Sequence, residues 1–373
     1  MDRRTVMVVG LGAIGYNALE FLARTPEVDR IVTVDVRSAG RGMTNNAMLG
    51  AATMGFSPEV EFFQLDVGNL DATASLLRRV KPAVILSTVT LQSYHVISEL
   101  PKDMFLKLKL DAGYGPWTSM HIVLNYKLIK AVKAAGIDTH VVTAAFPDAT
   151  NPILARAGLG PTVGLGNMDN FVPGIRKLAA QQLKLPESAI TIYMVAHHII
   201  RTAIKYRGNT GGAPFYLGVF ADSQDVSKEF DPVQLLVDEV KFVTEWRNDS
   251  KVASSGVRNV LGILKNTGEL AHSPGPNGLI GGYPIRLTRD GVQVVLPPGL
   301  NMETAIKINE EAQVYDGIEK IEADGTLVLT DKSVAVMREV LGFDRKRIGP
   351  HEHEDCSTEL RGRYLELVAK YKR

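Results

Sequence analysis

The chain is almost without cysteine: Cys356 stands alone among 373 residues. An intrachain disulfide and a cysteine metal cluster are thereby excluded, which suits a reducing compartment and makes the cytoplasm the expected location. Net charge is scarce as well. The 42 lysines and arginines are offset by 41 acidic residues, a balance of +1. No field of one sign gathers nucleic acid or an anionic membrane, so neither is expected as a partner. No apolar run is long enough to span a bilayer. Internal repeats and low-complexity stretches are lacking, and the first residues run straight into a strand pattern, so no signal peptide is expected.

What the chain does have is a glycine-rich turn at its start. Met7-Val8-Val9 leads into Gly10-Leu11-Gly12-Ala13-Ile14-Gly15, and a helix-forming stretch follows. Gly10 allows the tight turn, Gly12 lets a pyrophosphate approach the backbone, and Gly15 lets helix and strand pack closely. The helix N-terminus then offers free N–H groups to phosphates. A second apolar run, Ile31-Val32-Thr33-Val34, ends in Asp35. An acid about twenty residues beyond the glycines accepts hydrogen bonds from a ribose and repels a 2′-phosphate. NAD is therefore the expected cofactor, with NADP the alternative because Arg37 and Arg41 lie close behind.

Apolar strand patterns at 5–9, 31–35, 60–65, 83–88 and 139–144 alternate with helical patterns at 16–25, 70–80 and 120–135. That alternation predicts an α/β fold: a Rossmann-type, doubly wound parallel sheet with both faces covered, over residues 1–150. Ligands in such sheets bind at the carboxyl ends of the strands. Ala13, Ile14, Val36, Thr88 and Ala144 join the glycines and Asp35 as expected cofactor contacts. Residues 89–116 form a long mixed segment with two open readings, a cover over the active site or a surface excursion with a short helix at 102–110. Prolines and glycines crowd 147–166 and read as a crossing between domains. An α+β substrate-binding and dimerisation domain is expected over 151–345. It carries helices at 171–183, 232–244, 255–267 and 302–313, and strands at 189–196, 284–288, 291–295 and 326–329. Residues 346–373 read as a tail with a short helix at 358–370, a candidate for subunit contacts in a homo-oligomer, dimer or tetramer.

In these residues the chain resembles the lactate/malate dehydrogenase superfamily. The resemblance rests on the glycine loop with Asp35, on Val141-Val142-Thr143-Ala144-Ala145-Phe146-Pro147, on Gly164-Leu165-Gly166-Asn167-Met168-Asp169, and on Gly282-Tyr283-Pro284-Ile285-Arg286-Leu287 with the turns after it. It covers most of residues 1–342 as a pattern. It implies an NAD(P)-dependent dehydrogenase that acts on a small molecule. It also implies that Asp169 orients a catalytic histidine, either His198 or His197 at the end of the next strand. The chemistry is sound in itself. Hydride transfer at a carbinol carbon needs a proton moved on its oxygen, and a histidine steadied by a carboxylate does this near neutral pH. Strand alternation lets only one of the two histidines face a cleft, and His198, nearer the strand end, is preferred. In the competing reading both histidines are satisfied structural residues and Asp169 caps a helix.

The sequence departs from that family at the substrate. Val172 stands where the family has a carboxylate-gripping arginine, and the nearest arginine is Arg176, one turn on. The 89–116 segment carries Lys102, Lys107 and Lys109 but no arginine, and Ala145 and Phe146 replace an asparagine before the proline. A substrate larger or less acidic than a simple 2-hydroxy acid is expected, contacting Phe146, Arg176, Arg201 or Lys205. Tyr126 and Lys130 have the spacing of the short-chain dehydrogenase and epimerase pair, but they precede the fifth strand rather than follow it. A saccharopine-dehydrogenase-like or epimerase-type enzyme remains an alternative, as does a cofactor-binding protein without turnover. His351, Glu352, His353, Glu354, Asp355 and Cys356 read as a solvated tail, with no metal expected.

Overall fold

The structure, a computed structural model, describes residues 4–242 and 249–371. Its centre is a six-stranded sheet in the order β3-β2-β1-β4-β5-β6, parallel throughout. The elements that build it are β1 (Thr5–Val9), α1 (Ala13–Ala23), β2 (Arg30–Asp35), α2 (Gly40–Thr53), β3 (Glu59–Gln64), α3 (Leu70–Val80), β4 (Val84–Ser87), α4 (Lys102–Lys107), α5 (Thr118–Ala135), β5 (His140–Thr143), α6 (Pro147–Arg156) and β6 (Val163–Gly164). The apolar runs form strands because both sheet faces are covered. Val6, Val8, Ile31 and Leu86 pack to one side with α1 and α2. Met7, Val9, Val32 and Ile85 pack to the other with α3 and α5. Local signals set the ends. Asn69 caps α3 by accepting from Ala72 N–H, and Gly136 ends α5 in the left-handed region.

The expected crossing segment is part of the core. Residues 147–154 are buried along α6, with Pro147 in the first turn, where its missing N–H costs nothing. The sheet continues through β6, so the expected boundary at residue 150 falls inside α6. Clustered proline and glycine suggested an exposed passage. Here they let the backbone pass closely: a Cβ on Gly164 would lie 2.2 Å from Pro147.

Beyond β6 come α7 (Val172–Leu183), β7 (Ile190–Val195), α8 (Ile199–Arg207), β8 (Tyr216–Ala221), β9 (Gln224–Asp225), α9 (Pro232–Phe242), α10 (Asp249–Lys265), β10 (Leu270–Pro274), β11 (Gly282–Thr288), β12 (Gly291–Val294) and α11 (Met302–Gln313). The expected helix end at Thr244 lies outside the described residues. Strands β7 to β9 and β10 to β12 form two antiparallel sheets, joined by a bridge between Ala196 and Gly282. Helix α10 lays Val257, Val260 and Ile263 on the same face of the parallel sheet as α1.

The C-terminal region is not a tail. It forms β13 (Ile318–Ile321), β14 (Leu327–Leu329), α12 (Asp331–Leu341), β15 (Arg347–Ile348) and α13 (His353–Tyr371). Helix α13 is longer than the expected one because His353 and Cys356 belong to its buried face rather than to a solvated acidic cluster. Cys356, Leu360, Tyr364, Leu367 and Val368 join the core shared with α3 and α5. Ser119 and the His353 Nδ1 atom lie 2.9 Å apart, and Tyr364 donates to the Val96 carbonyl at 2.7 Å. Among the described residues no His, Cys, Asp and Glu group could hold a metal, and no helix is long and apolar enough to cross a membrane.

Three buried histidines make stability depend on pH. Burial pulls His121 down to about 3 and His272 and His353 down to about 4, from an ordinary 6.5. The folded values lie below the unfolded one, so the unfolded chain binds more protons between these limits. Stability is complete above about pH 6.5 and falls as pH drops toward 4. Thermal unfolding across pH 4 to 7.5 should show the melting temperature declining through this window, and a flat profile would contradict the buried, neutral state of these rings.

Candidate active site

The glycine loop and the histidines occupy neighbouring regions. At the loop, Gly10 has φ +90° and donates to the Val34 carbonyl at 2.7 Å. A Cβ on Gly15 would lie 1.9 Å from the Gly10 carbonyl oxygen, so helix and loop can meet only there as glycine. Gly12 has nothing within 4 Å of such a Cβ, leaving open the approach to the free N–H groups at the start of α1, where Ala13 is exposed. A cleft of about 600 Å³ runs from the loop along the strand ends. Gly10, Gly12, Asp35, Val36 and Thr88 line it. Ile14 packs toward the core, Gly15 is buried, and Ala144 continues the β5 ladder by donating to Ser87 outside the cleft wall. The open approach at Gly12, the bare helix start and the acid at the end of β2 together fit a dinucleotide.

Asp35 is already engaged. Its Oδ2 accepts from Leu11 N–H at 2.7 Å and from the Arg37 guanidinium at 3.1 Å. Its Oδ1 accepts from Arg37 N–H at 2.8 Å and Nε at 3.0 Å. Burial works to raise the carboxyl, but the Arg37 side chain, with the two backbone N–H groups, outweighs it and holds Asp35 below its usual range. The Arg37 side chain remains 57% exposed and can be displaced.

The second region is built on Asp316, which follows α11 and is buried to 1% exposure. Its Oδ2 lies 3.2 Å from His198 Nδ1 and 3.7 Å from His197 Nδ1, and its Oδ1 accepts from Tyr114 N–H at 2.8 Å. Burial pushes the Asp316 carboxyl up. The His198 hydrogen bond, the two histidines and the Tyr114 N–H more than offset this, so it sits below the ordinary value. A second buried carboxylate, Asp148, accepts from His198 N–H at 3.0 Å and from the Asn167 amide. There burial wins, and Asp148 is raised. Two carboxylates flank one histidine pair with opposite shifts, the arrangement that separates acid and base roles.

Asp169 does not join them. Its carboxylate pairs with Arg258 at 3.0 Å, and Arg258 also donates to the His272 carbonyl. The expected Asp169–His198 partnership is replaced by Asp316–His198. The strand argument for choosing between the histidines also fails, because β7 ends at Val195 and both residues lie in the turn into α8. Burial distinguishes them instead. His197 is fully buried, with Nε2 unpartnered among the described residues, whereas the His198 side chain keeps 13% exposure.

The 89–116 segment reaches this pair at Tyr114. Tyr114 meets the His198 ring edge-on at 5.1 Å, Phe146 at 4.4 Å and His121 in a stack at 5.1 Å. Gly113 (φ +74°) precedes Tyr114 because a Cβ there would lie 2.3 Å from the Asp316 backbone. Phe146 itself has φ +48°, costly for an aromatic residue, and its ring lies edge-on to His197 and His198. Of the loop lysines, Lys107 pairs with Glu339, while Lys109 lies over the Tyr94 ring at 4.4 Å. Burial pulls Lys109 down to about 8. Among the described residues no carboxylate comes within ion-pair distance of it.

Other expected contacts scatter. Val172 is buried in the α7 core, Arg176 has its Nε buried without a partner among the described residues, and Lys205 is exposed. Arg201 is half-buried on α8 and held below its ordinary value by burial, against the pull of Glu239. Tyr126 and Lys130 stack on each other along α5, ammonium to ring 5.3 Å, and Tyr126 lines a small cavity beside His353.

The fold so assembled is that of the lactate and malate dehydrogenases. A ligand-bound minor L-lactate dehydrogenase of Enterococcus mundtii is 15% identical with TM-score 0.59, over 86% of this chain and 99% of its own. A malate dehydrogenase of Salinibacter ruber is 16% identical with TM-score 0.54, over 83% and 95%. A lactate dehydrogenase of Cryptosporidium parvum, solved with lactic acid and β-nicotinamide adenine dinucleotide, is 15% identical with TM-score 0.56, over 85% and 99%. In sequence the chain matches no family model and no curated protein.

Removing Asp316 should be costly in itself, because it leaves His198 and the Tyr114 N–H without their shared acceptor. Asp316→Ala should lower the unfolding free energy by about 3–5 kcal/mol in urea denaturation. A loss below about 1 kcal/mol would mean the carboxylate does not hold this cluster together.

Proposed function

We propose that the chain is a nicotinamide-dinucleotide-dependent oxidoreductase acting at a carbinol or carbonyl carbon of a small molecule. The observation that carries this reading is the His198–Asp316 pair, linked through Tyr114, His121 and Thr90 to the glycine-loop cleft, on a fold whose solved examples are dehydrogenases. The dinucleotide, when bound, donates or accepts the hydride. The chain's own residues do the rest. The start of α1 receives the pyrophosphate at Gly12. With Nδ1–H donated to Asp316, His198 keeps Nε2 free to take a proton from a substrate hydroxyl, or to return one to a carbonyl oxygen. Asp316 fixes that tautomer and stabilises the protonated ring. Tyr114 and Phe146 exclude water from the pair.

NAD is the proposed cofactor, since Asp35 ends β2 where ribose hydroxyls are received. NADP is the second reading, favoured by the Arg37 guanidinium that spans both Asp35 oxygens. The substrate is larger or less acidic than a simple 2-hydroxy acid. Val172 is core, and the histidines are walled by Tyr114 and Phe146. We assign the contact with a substrate oxygen to Lys109, whose ammonium lies over the Tyr94 and Tyr114 rings.

Asp316→Asn should lower kcat about 10⁴-fold by imposing the wrong tautomer, whereas Asp169→Asn and Tyr126→Phe should change it little. Absorbance at 340 nm in the presence of candidate alcohols and ketones is the measurement. Loss in Tyr126→Phe instead would select an epimerase-type or short-chain mechanism. Dinucleotide binding without turnover of any alcohol or ketone would select a cofactor-binding protein.

Lys109 gives a separate test. It is charged below about pH 8 and neutral above it, so kcat/KM should fall as pH rises through about 8. Lys109→Met should abolish that alkaline limb, and an unchanged pH profile would remove Lys109 from the site.

A further inference from the structure

The cleft beside the glycine loop has a wall that comes from the far end of the chain. Along α13, Glu354, Ser357, Thr358 and Arg361 line the cleft. The spacing puts them on one face of the helix. The opposite face, Cys356, Leu360, Tyr364 and Leu367, is in the core. The wall is also fastened at its edge. Glu354 pairs with Lys127 of α5 at 2.6 Å, and Tyr364 donates to Val96 in the segment after β4.

The position of this wall follows from the cleft. A dinucleotide with its pyrophosphate at Gly12 and its nicotinamide toward His198 must send its adenosine the other way, past Asp35. There Val36, Val67, Val89, Leu91 and Val123 give the lining an apolar surface, edged by Asp66 and Thr90. Such a surface takes one face of a flat ring. Helix α13 stands across it. Arg37 is neutralised by Asp35 and Lys127 by Glu354, whereas Arg361 meets no carboxylate among the described residues. Arg363, two residues on, is turned to Glu359 at 3.9 Å. Arg361 is thus the uncompensated cation of the cleft.

We propose that α13 forms the outer wall of an adenosine subsite and that the Arg361 guanidinium lies against the purine ring, closing it between the apolar strand ends and the helix. A guanidinium is planar and weakly hydrated, suited to stacking on an aromatic face. This inference rests on the dinucleotide reading above.

Calorimetric titration of the full chain with NADH, NADPH, ADP-ribose and reduced nicotinamide mononucleotide tests it. Arg361→Ala should weaken NADH and ADP-ribose by about threefold to thirtyfold and leave the mononucleotide unchanged. Arg363→Ala, on the same helix but outside the cleft, should change none of them. Arg361 is exposed, so ligand-free melting should be unaltered. Affinities for NADH and ADP-ribose within twofold of the parent would overturn the proposal. So would a loss confined to NADPH, which would make Arg361 a 2′-phosphate ligand instead. A parent protein that binds none of the three adenine compounds would overturn the dinucleotide reading, and this inference with it.

Discussion

One buried carboxylate holds the active region together. Asp316 receives a ring nitrogen from His198, lies within reach of His197, and accepts the backbone N–H of Tyr114. A desolvated carboxylate is tolerable only when its lone pairs are filled by groups that favour the charge. The Asp316 partners do that, and they come from two separated stretches of chain, at Tyr114 and at His197-His198. The same charge therefore orients the candidate acid/base and seats the backbone of Tyr114. By contrast, ion pairs such as Arg338–Asp344 and Lys346–Asp331 sit in solvent and add little.

Around that carboxylate the backbone is unusually close. Gly113 and Gly317 pass where a Cβ would strike the facing chain, and Phe146 accepts a left-handed conformation to lay its ring beside the histidines. Strain of this sort persists where surrounding contacts over-determine it. At the glycine loop the closeness has another use, since Gly15 lets α1 meet the loop while Gly12 faces open space. One region is packed tight around a buried charge, and the other is left open at a helix start.

The parallel sheet was legible in the sequence because its inner strands, β1, β2, β4 and β5, are near-continuous apolar runs, and α3 and α5 carry local end signals, whereas α2 and the two-residue β6 lack such signals. Of the region 317–371 only the strand at 326–329 and the later part of α13 were legible. Its strands are short, and α13 spreads its buried residues thinly among charges. The cofactor loop was legible for the same local reasons, since Gly10, Gly12, Gly15 and Asp35 act within one β-α-β unit. The histidine pair was legible as a pair, but its partner was not. Asp169 sat at a suggestive place in the chain, while the carboxylate that reaches His198 is 118 residues away in sequence. No spacing rule spans that distance. Asp148 and Tyr114 escaped for the same reason, as did the difference between Lys107, which finds Glu339, and Lys109, which does not.

The interlocking of the C-terminal region with the first half has a consequence for how the molecule comes into being. The contacts Tyr114–Asp316, Ser119–His353 and Val96–Tyr364 join residues 202, 234 and 268 positions apart. Loop closure over such lengths carries an entropic cost before any contact rewards it, and topologies of this kind fold slowly. The glycine-loop sheet can collapse on its own local helices early, while α5 waits with an uncovered apolar face. A chain stopped before α13 would leave uncovered the side of α5 on which that helix packs.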